Sequence, residues 1–410
     1  MSQTSQPSAW DMPLEDIDVS LPELFSSDSF WPYFERLRKE DPVHYCATSD
    51  YGPYWSVTRY EDIMQVDTSH DVYSSEPGIT IRAMDEDFTL PMFIAMDQPR
   101  HSEQRAAVNP VVGSRNLPNF AELIRERTRG VLDSLPVGET FNWVDKVSIE
   151  LTTMMLATLF DFPFEERSKL TRWSDVATAI PGFGIVDTEE ERRAELVECL
   201  EYFTELWNQR VNGEPGNDMV SMLAHGEATR DMQPLEYLGN LVLLIVGGND
   251  TTRNSMTGGV LALNEFPAEY DKLRANPKLI PSMVSEVIRW QTPLAHMRRR
   301  ATVDTMLGGK HIKAGDKVVM WYVSGNRDES VFENPDQLII DRPQVRKHLS
   351  FGYGIHRCMG SHLAELQLRI LWEEIMQRFD RVEVVAEPVR IASSFVKGYS
   401  ELQVKLHPLG

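Results

Sequence analysis

Apolar residues recur three and four positions apart over much of the chain, the spacing that gathers them on one helical face. The pattern predicts helices over 30–41, 117–135, 148–160, 189–211, 234–266, 267–276, 281–292 and 358–379. Pro42, Pro136, Pro163, Pro267, Pro277 and Pro293 fall at or just beyond the ends of these runs, where proline stops one helix or opens the next. A smaller β component predicts strands at 43–45, 54–57, 302–323 around a Gly308-Gly309 turn, 382–385 and 402–406. The fold class expected is therefore mainly α with small β-sheets (α+β). Early and late strands can share a sheet only if one domain wraps back on itself, which favours one domain over two.

Charge and cysteine usage narrow the function classes. Lys and Arg number 41 against 62 Asp and Glu, a net −21, which argues against nucleic acid and anionic membrane surfaces as partners. Cys46, Cys199 and Cys358 are too few and too scattered for a disulfide framework or a zinc site, so a reducing cytoplasm is the expected location. Residues 1–11 lack the basic start and apolar stretch of a secretory signal, and residues 1–13 are expected to fray. The longest apolar run, 241–246, is far short of the roughly 18 residues that cross a bilayer.

The segment Phe351-Gly352-Tyr353-Gly354-Ile355-His356-Arg357-Cys358-Met359-Gly360 carries the most specific chemistry. A cysteine next to a helix start meets unsatisfied N–H groups and the positive end of the helix dipole, which favour a thiolate suited to iron. No G-x-x-x-x-G-K-[ST] or helix-opening G-x-G-x-x-G is present, so a phosphate loop is excluded. The segment resembles the haem-ligand loop of the cytochrome P-450 superfamily, the haem-thiolate monooxygenases. That resemblance implies the cytochrome P-450 fold, haem b between a long central helix and the cysteine-loop helix, Cys358 as axial iron ligand, and Phe351 and Gly352 against the cofactor.

Other segments match in order. Glu286-x-x-Arg289, around 70 residues before Cys358, resembles the family's Glu-x-x-Arg pair and is implied to tie to 326–328 and Arg342. Gly247-Gly248-Asn249-Asp250-Thr251-Thr252 interrupts the 234–266 helix with poor helix formers and resembles the oxygen-binding groove. The resemblance makes Gly248 part of that groove, Thr251 the hydrogen-bond partner of bound dioxygen and Asp250 a source of protons. Read from the residues alone, the same motif fits a helix crossing with a threonine bonded to its own i−4 carbonyl. His101-x-x-x-Arg105 matches the propionate-binding helix, with Gln98 where a second proline is common, and Arg298 and His356 are the matching donors elsewhere.

From about Leu14 to its end the chain looks most like the soluble bacterial alkane terminal hydroxylases, through segments such as 93–97, 243–256 and 319–322. This implies oxygen insertion from O2 at the terminal carbon of medium-chain alkanes, related aliphatics or fatty acids, with electrons from NADH through a ferredoxin and its reductase. The chain ends about 30 residues after its last helix, so no fused reductase is expected. Implied substrate contacts are Ile79, Met84, Phe93, Ile180, Leu244, Gly247, Leu294, His296, Phe395 and Val396, an apolar slot without a fixed charge. His296 departs from the aromatic residue more familiar there; it fits either a polar substrate atom or a core histidine bonded to a carbonyl. Arg346, Lys347 and Arg357 form a basic patch around the cysteine loop that would steer an acidic ferredoxin. A peroxygenase would dispense with the Asp250-Thr251 pair, and a non-catalytic haem sensor would not need it.

Overall fold

The computed structural model describes residues 8–82, 86–113 and 115–409; Met84 lies outside them. Its α-helices are, in chain order, α1 (Pro22–Ser26), α2 (Trp31–Glu40), α3 (Tyr60–Thr68), α4 (Arg100–Val112), α5 (Leu117–Asp133), α6 (Glu150–Phe160), α7 (Ser168–Thr178), α8 (Glu189–Val211), α9 (Met219–His225), α10 (Pro234–Glu265), α11 (Pro267–Ala275), α12 (Ile280–Gln291), α13 (Tyr322–Gly325) and α14 (Ser361–Arg378). The strands are β1 (Val43–Cys46), β2 (Tyr54–Val57), β3 (Tyr73–Ser74), β4 (Thr140–Asn142), β5 (Met297–Ala301), β6 (Thr305–Leu307), β7 (Lys310–Ile312), β8 (Lys317–Met320), β9 (Phe379–Val384), β10 (Val389–Arg390), β11 (Tyr399–Glu401) and β12 (Gln403–Pro408). No helix among the described residues is long and apolar enough to cross a membrane.

The largest sheet runs β1-β2-β8-β5-β3, with β2 parallel to β8. Early strands (β1, β2, β3) and later ones (β5, β8) therefore share a sheet across the helical stretch that separates them in the chain. The stretch read as strand over 302–323 divides into the β6–β7 hairpin about Gly308-Gly309, then β8, then the helical turn α13. Where the sequence reading expects fraying, residues 8–13 are held: Arg36 Nη1 donates to Ala9 O at 2.6 Å and Met12 O at 2.7 Å, and Ala9 is buried.

Two apolar cores meet on α10. Its first half, Tyr237 to Ile245, packs with α6, α7 and α8, and its second half, Met256 to Leu263, packs with α12 and α14. Between them, 247–255 contributes nothing apolar to either core, so this stretch is free to face a cavity. Capping fixes the start of α8: the Thr188 hydroxyl accepts from Glu191 N at 3.1 Å and the Glu191 carboxylate accepts from Asp187 N at 2.7 Å.

Candidate active site

A cavity of 590 Å³ lies among α4, α6, α8, α10, α14, the loop after α7, the cysteine loop before α14, the 393–395 loop and the strand β5; Cys358 is on its wall. The loop that delivers Cys358 is shaped by glycine. Gly352 and Gly354 have φ of +62° and +66°, and a Cβ on Gly354 would stand 2.6 Å from Asp67 O. The Cys358 N–H donates to Phe351 O at 2.8 Å, closing the loop before α14 begins. Cys358 is exposed to the cavity, yet the cavity is walled by protein. Burial accordingly pushes its thiol above the ordinary value, against the pull of the Gly360 N–H, Arg105, Arg357 and the Ser361 N–H. Coordination to a metal ion would favour the thiolate against that upward push, since it deprotonates a thiol outright.

On α10 the paired glycines have different jobs. A Cβ on Gly247 would meet nothing within 4 Å, leaving a bare patch of helix on the cavity, whereas one on Gly248 would press within 2.8 Å of Leu156 on α6. Thr251 lines the cavity and donates its hydroxyl to Gly247 O at 3.0 Å, the i−4 bond foreseen for this motif, which leaves its oxygen able to accept. Asp250 is fully buried and absent from the cavity wall. Its carboxylate accepts from Ser174 Oγ at 3.0 Å and Asn249 Nδ2 at 3.2 Å and pairs with Arg253 at 3.0 Å. Burial raises its carboxyl above the usual range, with Arg253 opposing.

The cationic groups divide differently from the sequence expectation. His101 ring nitrogens face Phe93 O at 2.8 Å and Ile355 O at 3.1 Å, and Arg105 donates to Ile355 O at 3.3 Å and Arg357 O at 2.6 Å. Both line the cavity and both hold the cysteine loop. Arg298 is not on the wall; Arg299 is. In β5 a step of one residue reverses the face, and Met297 and Arg299 look into the cavity between β3 and β8. Arg299 pairs with the buried Asp67 at 2.9 Å, whose other oxygen accepts from Tyr353 N at 2.7 Å and Tyr322 Oη at 2.9 Å. His356 bonds Ser75 Oγ through Nε2 at 2.8 Å, and its buried Nδ1 has no hydrogen-bond partner among the described residues. Burial, with Arg299, His101 and Arg105 nearby, pushes that imidazole down to about 2. A soft sulfur ligand, a bare helical patch, two guanidiniums and an orphaned ring nitrogen around one cavity fit a flat iron porphyrin with its carboxylates.

Of the expected substrate contacts, Ile79, Phe93, Ile180, Leu244, Gly247, Leu294, His296 and Phe395 line the cavity. Val396 does not: it is buried in a bridge to Leu294, with Phe395 beside it on the wall. His296 is a backbone clasp, accepting from Ile81 N at 3.1 Å and donating from Nδ1 to Ser394 O at 2.7 Å, and burial pushes it down to about 4. The lining is not free of charge, because Arg82, Glu189 and Arg192 also belong to it. Arg82 lies far along the chain from Glu189 and Arg192, which stand three positions apart at the start of α8.

Behind the cysteine loop Glu286 and Arg289 are both 0% exposed and Arg342 is buried. Glu286 accepts from Arg289 Nε at 2.8 Å and Arg342 Nε at 3.0 Å, and Arg289 reaches Asn326 O, Pro335 O and Gln337 O. Arg346, Lys347 and Arg357 are exposed on the cysteine-loop side and form no ion pair among the described residues.

A family model described as Cytochrome P450 matches residues 187–406. The chain is 34% identical over 409 residues to a linalool 8-monooxygenase of Pseudomonas putida, covering 96% of this chain and 100% of that one. It is 30% identical over 414 residues to a methyl-branched lipid omega-hydroxylase of Mycobacterium tuberculosis (strain ATCC 25618 / H37Rv), covering 96% and 95%. The solved structure of cytochrome P450-153 from Novosphingobium aromaticivorans is similar with a TM-score of 0.89 at 49% identity, over 95% of this chain and 99% of that one.

Proposed function

The chain belongs to the cytochrome P450 family, and within it we propose a monooxygenase that hydroxylates the terminal carbon of medium-chain alkanes, related aliphatics or fatty acids. One arrangement carries this reading: the same cavity is bounded by Cys358, by Gly247 and Thr251 of α10, and otherwise chiefly by aliphatic and aromatic side chains. A relative bearing the name omega-hydroxylase lends support. Haem held through Cys358, with its carboxylates taken by Arg105, Arg299 and His356, supplies the chemistry that puts one atom of O2 into a C–H bond and releases the other as water, using two electrons and two protons.

The chain's own residues select and time that chemistry. Apolar lining excludes water and grips an alkyl chain, though each methylene contributes only about 1–3 kcal/mol of discrimination. A methyl C–H is stronger than a methylene C–H, so attack at the chain end requires walls that withhold the neighbouring carbon. Asp250, buried behind α10 and paired with Arg253, would serve as the proton store, and Thr251 Oγ on the cavity side would accept and pass the proton. Arg253 joins Asp250 to Asp175, whose side chain is 30% exposed, which connects this store to the outer surface. We expect Asp250→Asn to slow turnover about 10²-fold, and Thr251→Ala to keep the cofactor while product per NADH falls below half with peroxide making up the difference. Product and peroxide assays check this; unchanged coupling in Thr251→Ala removes the threonine from the relay.

Electrons would come from NADH through a reductase and an acidic ferredoxin docking on Arg346, Lys347 and Arg357, with a rate that falls as salt rises. The deciding experiment is gas chromatography of products from a homologous series of alkanes and fatty acids under a reconstituted electron supply. Terminal alcohols as the main products, with turnover lost at high salt, are expected; mainly internal hydroxylation would overturn the assignment.

A further inference from the structure

An otherwise apolar cavity carries three charged side chains that neither the cysteine loop nor the relay explains. Arg82, just after the 79–81 segment, donates from Nη2 to Glu189 Oε2 at 3.1 Å and from Nη1 to Ala179 O at 3.3 Å. Arg192, one helical turn into α8, donates from Nη1 to Glu189 Oε1 at 2.8 Å and from Nη2 to Ala177 O at 3.0 Å. All three line the cavity, so two guanidiniums share one carboxylate there, and among the described residues no second acid joins the cluster. Arg192 Nε is buried without a hydrogen-bond partner among the described residues. Tyr51, also on the wall, is near enough for the Arg82 charge to act on its phenol. The remaining acids of the α8 start are not on the wall: Glu191 is spent on the cap, bonding Asp187 N at 2.7 Å, and Glu190 is exposed.

Uncompensated charge beside apolar surface is costly, and a guanidinium's forked donors match a carboxylate. We infer that Arg82 and Arg192 form a subsite for the carboxylate of the substrate, so that the preferred substrate class is the fatty acid and not the bare alkane. This rests on the reading of the cavity as the substrate pocket of an aliphatic hydroxylase. A bound carboxylate turns two cations and one anion into two and two. With the head group held by α8 and the 79–82 segment, the methyl end is the part of the molecule left to reach the Gly247–Thr251 stretch of α10, which gives terminal attack a second cause besides narrow walls. Glu189 is then a competitor: it occupies the same donors until a carboxylate shares them.

Calorimetric binding of a saturated fatty acid and of its methyl ester to the haem-loaded protein tests this. The acid should bind at least tenfold more tightly than the ester. Arg82→Gln and Arg192→Gln should each weaken acid binding about tenfold with little change for the ester, the scale of a lost charge-assisted bond, and Glu189→Gln should tighten acid binding several-fold. A gain in Glu189→Gln cannot come from misfolding. If the three residues only latch the 79–82 segment to α8, all three variants shift acid and ester together, and the inference falls while the pocket assignment stands. Equal affinity of the unaltered protein for acid and ester has the same consequence, and binding of neither ligand overturns both.

Discussion

Cys358→Ala should abolish the red-shifted absorption band of the reduced, carbon-monoxide-treated protein and reduce oxygenase turnover to background. The sulfur faces the cavity, and the backbone around it is held by contacts that do not involve the side chain: Cys358 N to Phe351 O at 2.8 Å and the loop held by Arg105 at Ile355 O and Arg357 O. Alanine preserves these, so far-ultraviolet circular dichroism should be unchanged and the loss should belong to the ligand alone. Burial pushes the thiol up, and a bound metal ion would oppose that push by taking the thiolate. That thiolate is what pushes electron density towards O–O cleavage. A variant that retains the red-shifted band would place the iron ligand elsewhere and undo the functional reading.

Much of this site is legible because its determinants are local. The cysteine loop carries its own turn residues and closes on itself within eight residues, and the Tyr54–Val57 strand and the Glu189–Val211 helix stand where period and capping put them. Helices α4 and α7 escape the same reading because their buried faces are partly polar. His101 and Gln104 in α4 and Thr171 and Ser174 in α7 are buried against hydrogen-bond partners, among them Thr153 and Asp250, so the apolar period is broken. Arg298 and Arg299 cannot be told apart in a run of three arginines; which one faces the cavity is set by the pairing of β5 with β8 and β3, contacts made across the chain. The same holds for Phe395 and Val396. The charges on the cavity wall join positions 107 apart in the chain, beyond the reach of any spacing rule.

The other large effect is expected from Glu286→Gln, and its cause is burial and not the strength of a pair. A solvated i,i+3 ion pair would contribute well under about 1 kcal/mol, but Glu286 and Arg289 have no exposed surface. Glu286 is the anion of a three-charge cluster, accepting from Arg289 Nε at 2.8 Å, Arg342 Nε at 3.0 Å and Ile339 N at 3.0 Å. Neutralising it leaves two buried guanidiniums with no counter-charge, a loss of about 3–5 kcal/mol. The damage should reach the haem loop along a defined path. Arg289 fixes Asn326 O, Asn326 Oδ1 takes Leu349 N at 2.6 Å, and Asn326 Nδ2 donates to Ser350 Oγ at 2.9 Å, one residue before the cysteine segment begins. Denaturant unfolding should therefore show a destabilised protein, and the preparation should carry a reduced fraction of haem even where it remains folded. Stability within about 0.5 kcal/mol of the unaltered chain, the range of an ordinary surface substitution, would mean that the carboxylate is not the keystone of the cluster and that Arg289 and Arg342 are held by the backbone carbonyls of 326–337 alone.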